Sequence, residues 1–219
     1  MTAQSRPQSA NAFLARFESL YRMDRGDRIY TKRHYQRWME VGEIIDALHP
    51  ERILDVGCGS GFFMILMDKG IVGIDVEENV AVCKRRGLEA YVVDIEKERF
   101  PFENASFDVA TCLEVLEHLK NPAKTFSETL RVLKPGGYLI LSTPNSSVPT
   151  WRIRDSVLKF NVVGQIYMGR NLGKDEKRYG KNEIRELLVA AGFVKPRFYY
   201  SKIMVAGDDI FAIAKKPAR

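Results

Sequence analysis

The feature that most constrains the fold is a glycine-rich turn after a short apolar run. Residues 54–61 read Leu-Asp-Val-Gly-Cys-Gly-Ser-Gly, and a helical pattern follows them. Glycines at such a turn let the backbone approach a ligand closely and leave the N–H groups of the next helix open to an anion. In an open α/β sheet the turn lies at the carboxyl end of a strand, where ligands bind. On its own, this turn indicates a nucleotide-binding sheet.

Strand and helix patterns alternate along the chain. The predicted strands are 52–56, 71–74, 90–93, 107–113 and 137–142, and the predicted helices are 32–48, 61–69, 77–86, 122–133 and 181–191. Short turns between alternating elements predict right-handed crossovers and a doubly wound parallel sheet, covered on both faces by helices. Two last strands, 194–201 and 209–215, have a connection short enough for a hairpin, so one strand at the far end runs antiparallel.

Length and composition fit one α/β domain with a helical extension. We divide the 219 residues into a tail and helical extension at 1–49 and a domain at 50–219, with an irregular basic insertion at 146–180. The sequence has no apolar run of about 20 residues and no apolar leader, which predicts a cytoplasmic chain without a transmembrane segment. The three cysteines (Cys58, Cys83 and Cys112) form no C-x-x-C pair, which favours free thiols over a zinc site.

The spacing of the glycines counts against a dinucleotide site, such as that of an NAD-dependent dehydrogenase, and excludes a Walker loop. A dinucleotide loop has G-x-G-x-x-G, whereas here Phe62 stands where the third glycine belongs and Gly61 comes one residue early. A phosphate-binding Walker loop is excluded because no Gly-Lys-Ser/Thr follows. The anion at this loop therefore need not be a pyrophosphate, and a carboxylate suits it.

Acidic residues follow three further predicted strands. Asp75 comes 18 residues after Gly57 (75 − 57) and can accept hydrogen bonds from both hydroxyls of a ribose. Asp94 can accept from an adenine amino group, and Glu114 ends the fourth strand. Each acid has a structural alternative, since Asp and Glu commonly cap the next helix. Their succession beside one glycine loop favours a nucleoside site.

Taken together, the motifs resemble those of class I S-adenosylmethionine-dependent methyltransferases. The resemblance covers about residues 50–145 and a late helix at 178–193, and residues 142–145 (Ser-Thr-Pro-Asn) are similar to the branch that includes the ubiquinone-biosynthesis O-methyltransferases. The motifs that carry it are residues 54–61, 72–75, 107–109, 113–119 and 133–139. It implies a seven-stranded, mostly parallel sheet of order 3-2-1-4-5-7-6 and S-adenosylmethionine as the cofactor.

The resemblance also implies roles for single residues in cofactor binding. Asp55 and the backbone of residues 57–61 would hold the methionine part, Asp75 the ribose, and the Leu113 carbonyl the amino group. Val76 would pack on the adenine, whose edge Asp94 and the backbone of Ile95 would read. The residues so assigned are Asp55, Gly57, Cys58, Gly59, Gly61, Asp75, Val76, Asp94, Ile95, Leu113 and Glu114, and Cys58 needs no reactive role.

His118 is the candidate catalytic base, because it follows the strand end at Glu114 and a neutral imidazole can take a hydroxyl proton near neutral pH. The alternative is that His118 belongs to a helical turn and supports the cofactor pocket. Glu114 and Glu117 have no third clear ligand beside them, so we predict no metal.

We expect methyl transfer to a small molecule, at an oxygen of an anionic or partly apolar metabolite. Apolar residues at helical spacing between 151 and 167 form either a lid or a surface for a lipid-like acceptor or a membrane. The net charge of +6 leaves an RNA methyltransferase as an alternative, although no RNA-binding module is present, which argues against a nucleic-acid partner. A noncatalytic nucleotide-binding module is the other alternative.

Overall fold

The computed structural model describes residues 28–67, 70–145, 177–200 and 209–218. Its helices are α1 (Arg28–Leu48), α2 (Phe62–Met67), α3 (Glu77–Arg85), α4 (Pro122–Val132) and α5 (Lys181–Ala190), with a 3₁₀ turn at Leu116–His118. Its strands are β1 (Ile53–Val56), β2 (Ile71–Asp75), β3 (Ala90–Val92), β4 (Phe107–Leu113), β5 (Leu133–Pro144), β6 (Val194–Tyr200) and β7 (Asp209–Lys215). The insertion stripe at 151–167 and the loop between the last two strands lie outside the described residues.

The seven strands form one sheet in the order β3-β2-β1-β4-β5-β7-β6. The pairs from β3 to β5 are parallel, while β7 runs antiparallel to both β5 and β6. The predicted doubly wound sheet, its strand order and its antiparallel strand are therefore confirmed. This order brings the carboxyl ends of β1, β2 and β4 side by side.

Two apolar layers cover the two faces of the sheet. Adjacent residues of β1 point to opposite faces, so Leu54 belongs to one buried cluster and Ile53 to the other. Buried residues of α4 and α5, such as Phe126 and Ile184, join the first cluster, while those of α1 to α3 join the second. All four residues of β1 are buried, which explains why this strand reads as a continuous apolar run with only Asp55 as an exception.

Strand β5 begins earlier than predicted. Leu133 pairs with Phe107 and Tyr138 with Val109, so the Lys-Pro-Gly-Gly segment between them is an irregularity inside the strand and not a turn before it. The backbone of Lys216 holds this segment, since its N–H donates to the Gly137 carbonyl (2.8 Å). Pro and Gly usually mark a turn, which is why the sequence pattern placed the strand start at 137.

A buried arginine joins α1 to the strand ends. The Arg37 guanidinium lies 2.9 Å from Glu114, after β4, and 2.7 Å from Asp209, the first residue of β7. The side chains of Arg37 and Asp209 are each only 3% exposed. Removing one partner of such a cluster leaves buried charges unpaired, which costs more free energy than an exposed ion pair contributes.

No helix among the described residues is long and apolar enough to cross a membrane. The division of the chain at residues 49 and 50 stays a prediction.

Replacing Arg37 by Ala should lower the free energy of unfolding by about 3–5 kcal/mol, because Asp209 and Glu114 lose their counter-charge in a buried setting. Urea unfolding followed by circular dichroism measures the change. Arg85→Ala, on the exposed end of α3, is the matched control and should change stability by less than about 0.5 kcal/mol. Equal effects of the two substitutions would contradict a structural role for the buried arginine.

Candidate functional site

The glycine loop begins directly after β1 and is tied to the end of β2. The N–H groups of Gly57 and Cys58 donate to the Ile74 carbonyl at 2.9 and 3.1 Å. Gly57 has a φ of 75°, and a Cβ there would lie 2.4 Å from a methyl group of Val115, so only glycine fits. Gly59 also has a positive φ, 54°, but a Cβ there would meet nothing within 4 Å. The loop therefore packs tightly against Val115 at one glycine and faces open space at the next, as a ligand cradle requires.

Asp75 lies beside the open glycine. One oxygen of its carboxylate accepts from the Gly59 N–H (2.7 Å), and the other accepts from the N–H of Val76 and from the Asn79 amide (2.7 Å each). A carboxylate offers about four acceptor positions, so these contacts leave capacity for a ligand hydroxyl. Helix α3 has Val76 as its N-cap with no side-chain cap hydrogen bond. Asp75 directly precedes this N-cap and accepts from its N–H, so a local role at the start of α3 is present beside the predicted ligand role.

Val76 is a large apolar residue that the fold leaves in solvent, with 51% of its surface exposed. It directly follows Asp75 at the end of β2. An exposed apolar surface next to a polar anchor is suited to an aromatic ring.

Asp94 is engaged in a local turn at the end of β3. Its carboxylate accepts from the Glu96 N–H (3.1 Å) and pairs with Lys97 (2.7 Å). The hydrogen bond from Lys97 is the main reason that the pKa of Asp94 lies below its ordinary value. The turn lies next to Asp75, whose carbonyl accepts from the Val93 N–H (3.0 Å). Asp94 therefore stabilises its own turn, and its role toward a ligand stays a prediction.

Asp55 lies within β1, beneath the loop, and is 3% exposed. The Thr111 hydroxyl donates to its carboxylate at 2.6 Å. The pKa of Asp55 is raised to about 7. Burial is the main cause and the nearby charge of Asp75 adds to it, while the Thr111 hydrogen bond acts in the opposite direction. Asp55 is thus a carboxyl group whose charge a cation in the loop would stabilise.

Glu114 follows β4 in a left-handed backbone conformation, with a φ of 57°. Its carboxylate is held by Arg37 (2.9 Å) and by the Ser142 hydroxyl (2.8 Å), and its N–H donates to the Ser142 carbonyl (3.0 Å). A non-glycine residue in this region is strained, and such strain clusters at functional sites. Leu113, whose carbonyl was predicted to receive an amino group, directly precedes it.

Sequence reasoning missed Arg37. Its partners lie far away in the chain, so no local motif reveals them. One signal was available: Arg37, Val41 and Ile45 follow each other at intervals of four, so they share a helix face, and the two apolar residues are fully buried. A charged residue on this buried face of α1 needs a partner of opposite charge, which indicates a buried ion pair.

His118 ends the 3₁₀ turn at Leu116–His118 and is exposed. Its backbone N–H donates to the Val115 carbonyl at 3.0 Å. The residue therefore lies in the helical turn that the alternative interpretation assumed, with its side chain at the surface. Within the described ranges, no three His, Cys, Asp or Glu side chains are grouped so that they could hold a metal ion.

Comparison with known proteins agrees with this geometry. A family model described as a methyltransferase domain matches residues 54–141. A ubiquinone biosynthesis O-methyltransferase from Paraburkholderia phymatum is 34% identical over 157 residues, which are 66% of this chain and 65% of that relative. The chain thus spans slightly under two thirds of that relative's length.

Solved structures confirm the fold. A SAM-dependent methyltransferase from Methanosarcina mazei matches 80% of this chain and 98% of its own, with a TM-score of 0.60 and 24% identity. Residues 54–141 thus match a methyltransferase domain, and the described part of the chain has the fold of these structures. The [4+2]-cyclase SpnF matches 81% of each chain with a TM-score of 0.58 and 21% identity. The methyltransferase fold alone therefore does not determine the reaction.

The comparisons support the resemblance to methyltransferases, through the family match at residues 54–141 and through the fold. They give no support to an RNA methyltransferase or a noncatalytic module. The roles of single residues stay predictions.

The raised pKa of Asp55 predicts that the affinity for the cofactor depends on pH. S-adenosylmethionine carries an ammonium and a sulfonium group, so it should bind better when Asp55 is ionised. We expect its affinity to rise by up to about tenfold between about pH 6 and about pH 8, the range over which a group with a pKa of about 7 ionises. Isothermal calorimetry at several pH values measures this.

Asp55→Asn is the matched control, since it keeps the shape and an acceptor for Thr111 but has no charge to titrate. Its affinity should depend less on pH than that of the wild type. Identical pH dependence in the two proteins would assign the titration to the ligand and contradict the role of Asp55.

Proposed function

We propose that the chain transfers a methyl group from S-adenosylmethionine to a small-molecule acceptor, at an oxygen of an anionic or partly apolar metabolite. The observation that carries the proposal is the cradle formed by the open Gly59 and the adjacent Asp75 carboxylate, 2.7 Å apart, at the strand ends of a methyltransferase domain. The similarity to a ubiquinone biosynthesis O-methyltransferase supports an oxygen acceptor.

The donor set at the strand ends fits the parts of this cofactor. Asp75 would accept from the ribose hydroxyls, and the half-exposed Val76 would cover the adenine. Asp94 and the backbone of Ile95 would read its edge. The methionine part would lie along the glycine loop, above Asp55 and next to the Leu113 carbonyl. The residues proposed to bind the cofactor are Asp55, Gly57, Cys58, Gly59, Gly61, Asp75, Val76, Asp94, Ile95, Leu113 and Glu114.

The charges of the site support a cationic ligand. Asp55, Asp75 and Glu114 bring three carboxyl groups to neighbouring strand ends, where Arg37 is a buried cation that is shared with Asp209. A site with an excess of carboxylates attracts a ligand that carries more positive than negative charge. S-adenosylmethionine is such a ligand, and its demethylated product has lost the sulfonium charge.

When bound, the cofactor supplies an electrophilic methyl group on a sulfonium. The contribution of the protein is then to hold the acceptor oxygen in line with that methyl group, which can be worth about 7–11 kcal/mol in well-oriented systems. A hydroxyl acceptor must also lose its proton. We propose His118 for this step, because it is exposed and lies four residues after Glu114, at the edge of the site.

The acceptor side rests on the sequence alone, since the insertion at 146–176 lies outside the described residues. Its basic excess and its apolar stripe support an anionic or lipid-like acceptor. A cytoplasmic location fits this proposal.

Asp75→Ala should weaken the binding of S-adenosylmethionine by about tenfold or more, because the ribose loses the carboxylate that accepts from it. Calorimetry with S-adenosylmethionine, S-adenosylhomocysteine and NAD measures this. Glu77→Ala, two residues further and exposed, is the control and should bind like the wild type. A wild type that binds only NAD would contradict the proposed function, and unchanged affinity in Asp75→Ala would remove this residue from the site.

His118→Ala should lower turnover by about 10²–10⁴-fold with little change in cofactor affinity, if this imidazole takes the acceptor proton. The measurement is transfer of radiolabelled methyl from S-adenosylmethionine into a cell extract, with label counted in the lipid, small-metabolite, RNA and protein fractions. Label should enter the lipid or small-metabolite fraction, and label only in RNA would contradict the acceptor class. Loss of cofactor binding in the variant would instead support a structural role for His118.

A further inference from the structure

Two buried thiols meet beneath the glycine loop. The Sγ atoms of Cys58, within the loop, and Cys83, on α3, are 4.0 Å apart, although 25 positions separate them in the chain. Cys58 is 7% exposed and Cys83 is fully buried. Both sulfurs also lie near the Gly59 carbonyl oxygen, at 3.7 Å for Cys58 and 3.3 Å for Cys83. The pair therefore connects the loop with the helix behind it.

We propose that Cys58 and Cys83 form an oxidisable dithiol, whose disulfide weakens the binding of S-adenosylmethionine by the loop. The effect on the cofactor rests on the function proposed above. The bridge itself depends only on the two sulfurs and on an oxidant, for which we name a peroxide.

The surroundings of the two sulfurs leave them little room except toward each other. A Cβ added at Gly73 of β2 would lie 2.6 Å from the Cys58 sulfur, and one added at Gly61 would lie 3.0 Å from the Cys83 sulfur. The glycines at 61 and 73 thus provide the space that the thiols occupy. A bridge requires the sulfurs to approach to about 2.05 Å, which is a closure of about 2 Å that the loop and α3 must share.

This closure would disturb the contact that the proposed function depends on. Gly59 follows Cys58 directly, and its N–H donates to Asp75 at 2.7 Å. Cofactor binding needs the loop and the Asp75 carboxylate in a fixed relation, and misplacement by about 1 Å is enough to impair a preorganised site. Pulling residue 58 toward α3 moves the loop backbone relative to Asp75, so the bridged form should bind the cofactor more weakly.

The two thiols share one hydrogen bond, which favours a thiolate in the pair and is the main effect on the pKa of Cys83. The pKa of its thiol is lowered, mainly by the hydrogen bond with Cys58 and also by the charge of Arg86, against the raising effects of burial and of the charges of Asp55 and Asp75. The same hydrogen bond and burial raise the pKa of Cys58. The thiolate is the reactive form, and either sulfur can donate the hydrogen bond between them, so either cysteine of the pair can react first.

The reaction then balances in two steps. The thiolate of one cysteine attacks a peroxide oxygen and breaks the O–O bond, which gives a sulfenic acid on that cysteine and hydroxide. The sulfur of the other cysteine attacks the sulfenic sulfur, the S–S bond forms, and the sulfenic oxygen leaves as water, taking the proton of that second thiol. In sum, two thiols are oxidised to a disulfide, and one hydrogen peroxide is reduced to two waters.

The test uses the full chain, reduced and then treated with hydrogen peroxide. Peptide mapping with blocked free thiols should show one bridge, between Cys58 and Cys83, and the intact mass should fall by two hydrogens. Calorimetry with S-adenosylmethionine should then show affinity about tenfold or more below that of the reduced protein. Treatment with dithiothreitol should restore the affinity.

Two variants separate this effect from general oxidation. Cys83→Ser should show the same affinity before and after peroxide. Cys112→Ser, which removes the third buried cysteine, should lose affinity on oxidation as the wild type does. If Cys83→Ser does not fold, mapping of the wild type still decides whether the bridge forms.

Oxidised wild type without a bridge between Cys58 and Cys83 overturns the proposal, and so does a bridged protein that binds the cofactor like the reduced one. Failure of the proposed function has a different signature, because the reduced wild type would then not bind S-adenosylmethionine at all. In that case the claim about affinity falls with it, while mapping still decides whether the pair is a modification site.

Discussion

The candidate site depends on a few hydrogen bonds between the glycine loop and the end of β2. The Ile74 carbonyl accepts from two N–H groups of the loop, and the Asp75 carboxylate accepts from a third. These bonds fix the position of the loop relative to the sheet. The close packing of Gly57 on Val115 further restricts the backbone of the loop. Because β1 and β2 pair in parallel register, the loop and the acid arrive together at one edge. The same frame therefore makes the fold and positions the candidate site.

Much of this could be predicted because its causes are local. The glycine turn, the acid after β2 and the alternation of strand and helix each follow from short segments, and Phe107–Leu113 and Asp209–Lys215 were predicted with the bounds that the structure shows. The predicted start of β5 at residue 137 was wrong, because the backbone of Lys216 holds Pro and Gly at 135–137 inside the sheet. There a tertiary contact outweighs the local turn preference.

The parts that escaped prediction are pairings between residues distant in the chain. Arg37 reaches Asp209 across 172 positions, and Cys58 meets Cys83 across 25. Neither pair has a spacing that a sequence motif encodes, because the packing of helices on the sheet alone brings them together. Asp94 differs from these pairs, since its partner Lys97 is three residues away and its local role is of the kind that the structural alternative allowed.

The position of β7 has a consequence for the order of folding. This strand comes last among those described, yet it lies inside the sheet, between β5 and β6. Because synthesis runs from the amino end, β5 leaves the ribosome before β7. One edge of β5 therefore stays unpaired until β7 emerges. Arg37 of α1 also waits for β7 to be synthesised, because its partner Asp209 is the first residue of that strand. Arg37 of α1 thus receives a buried counter-charge from a residue that is synthesised 172 positions later.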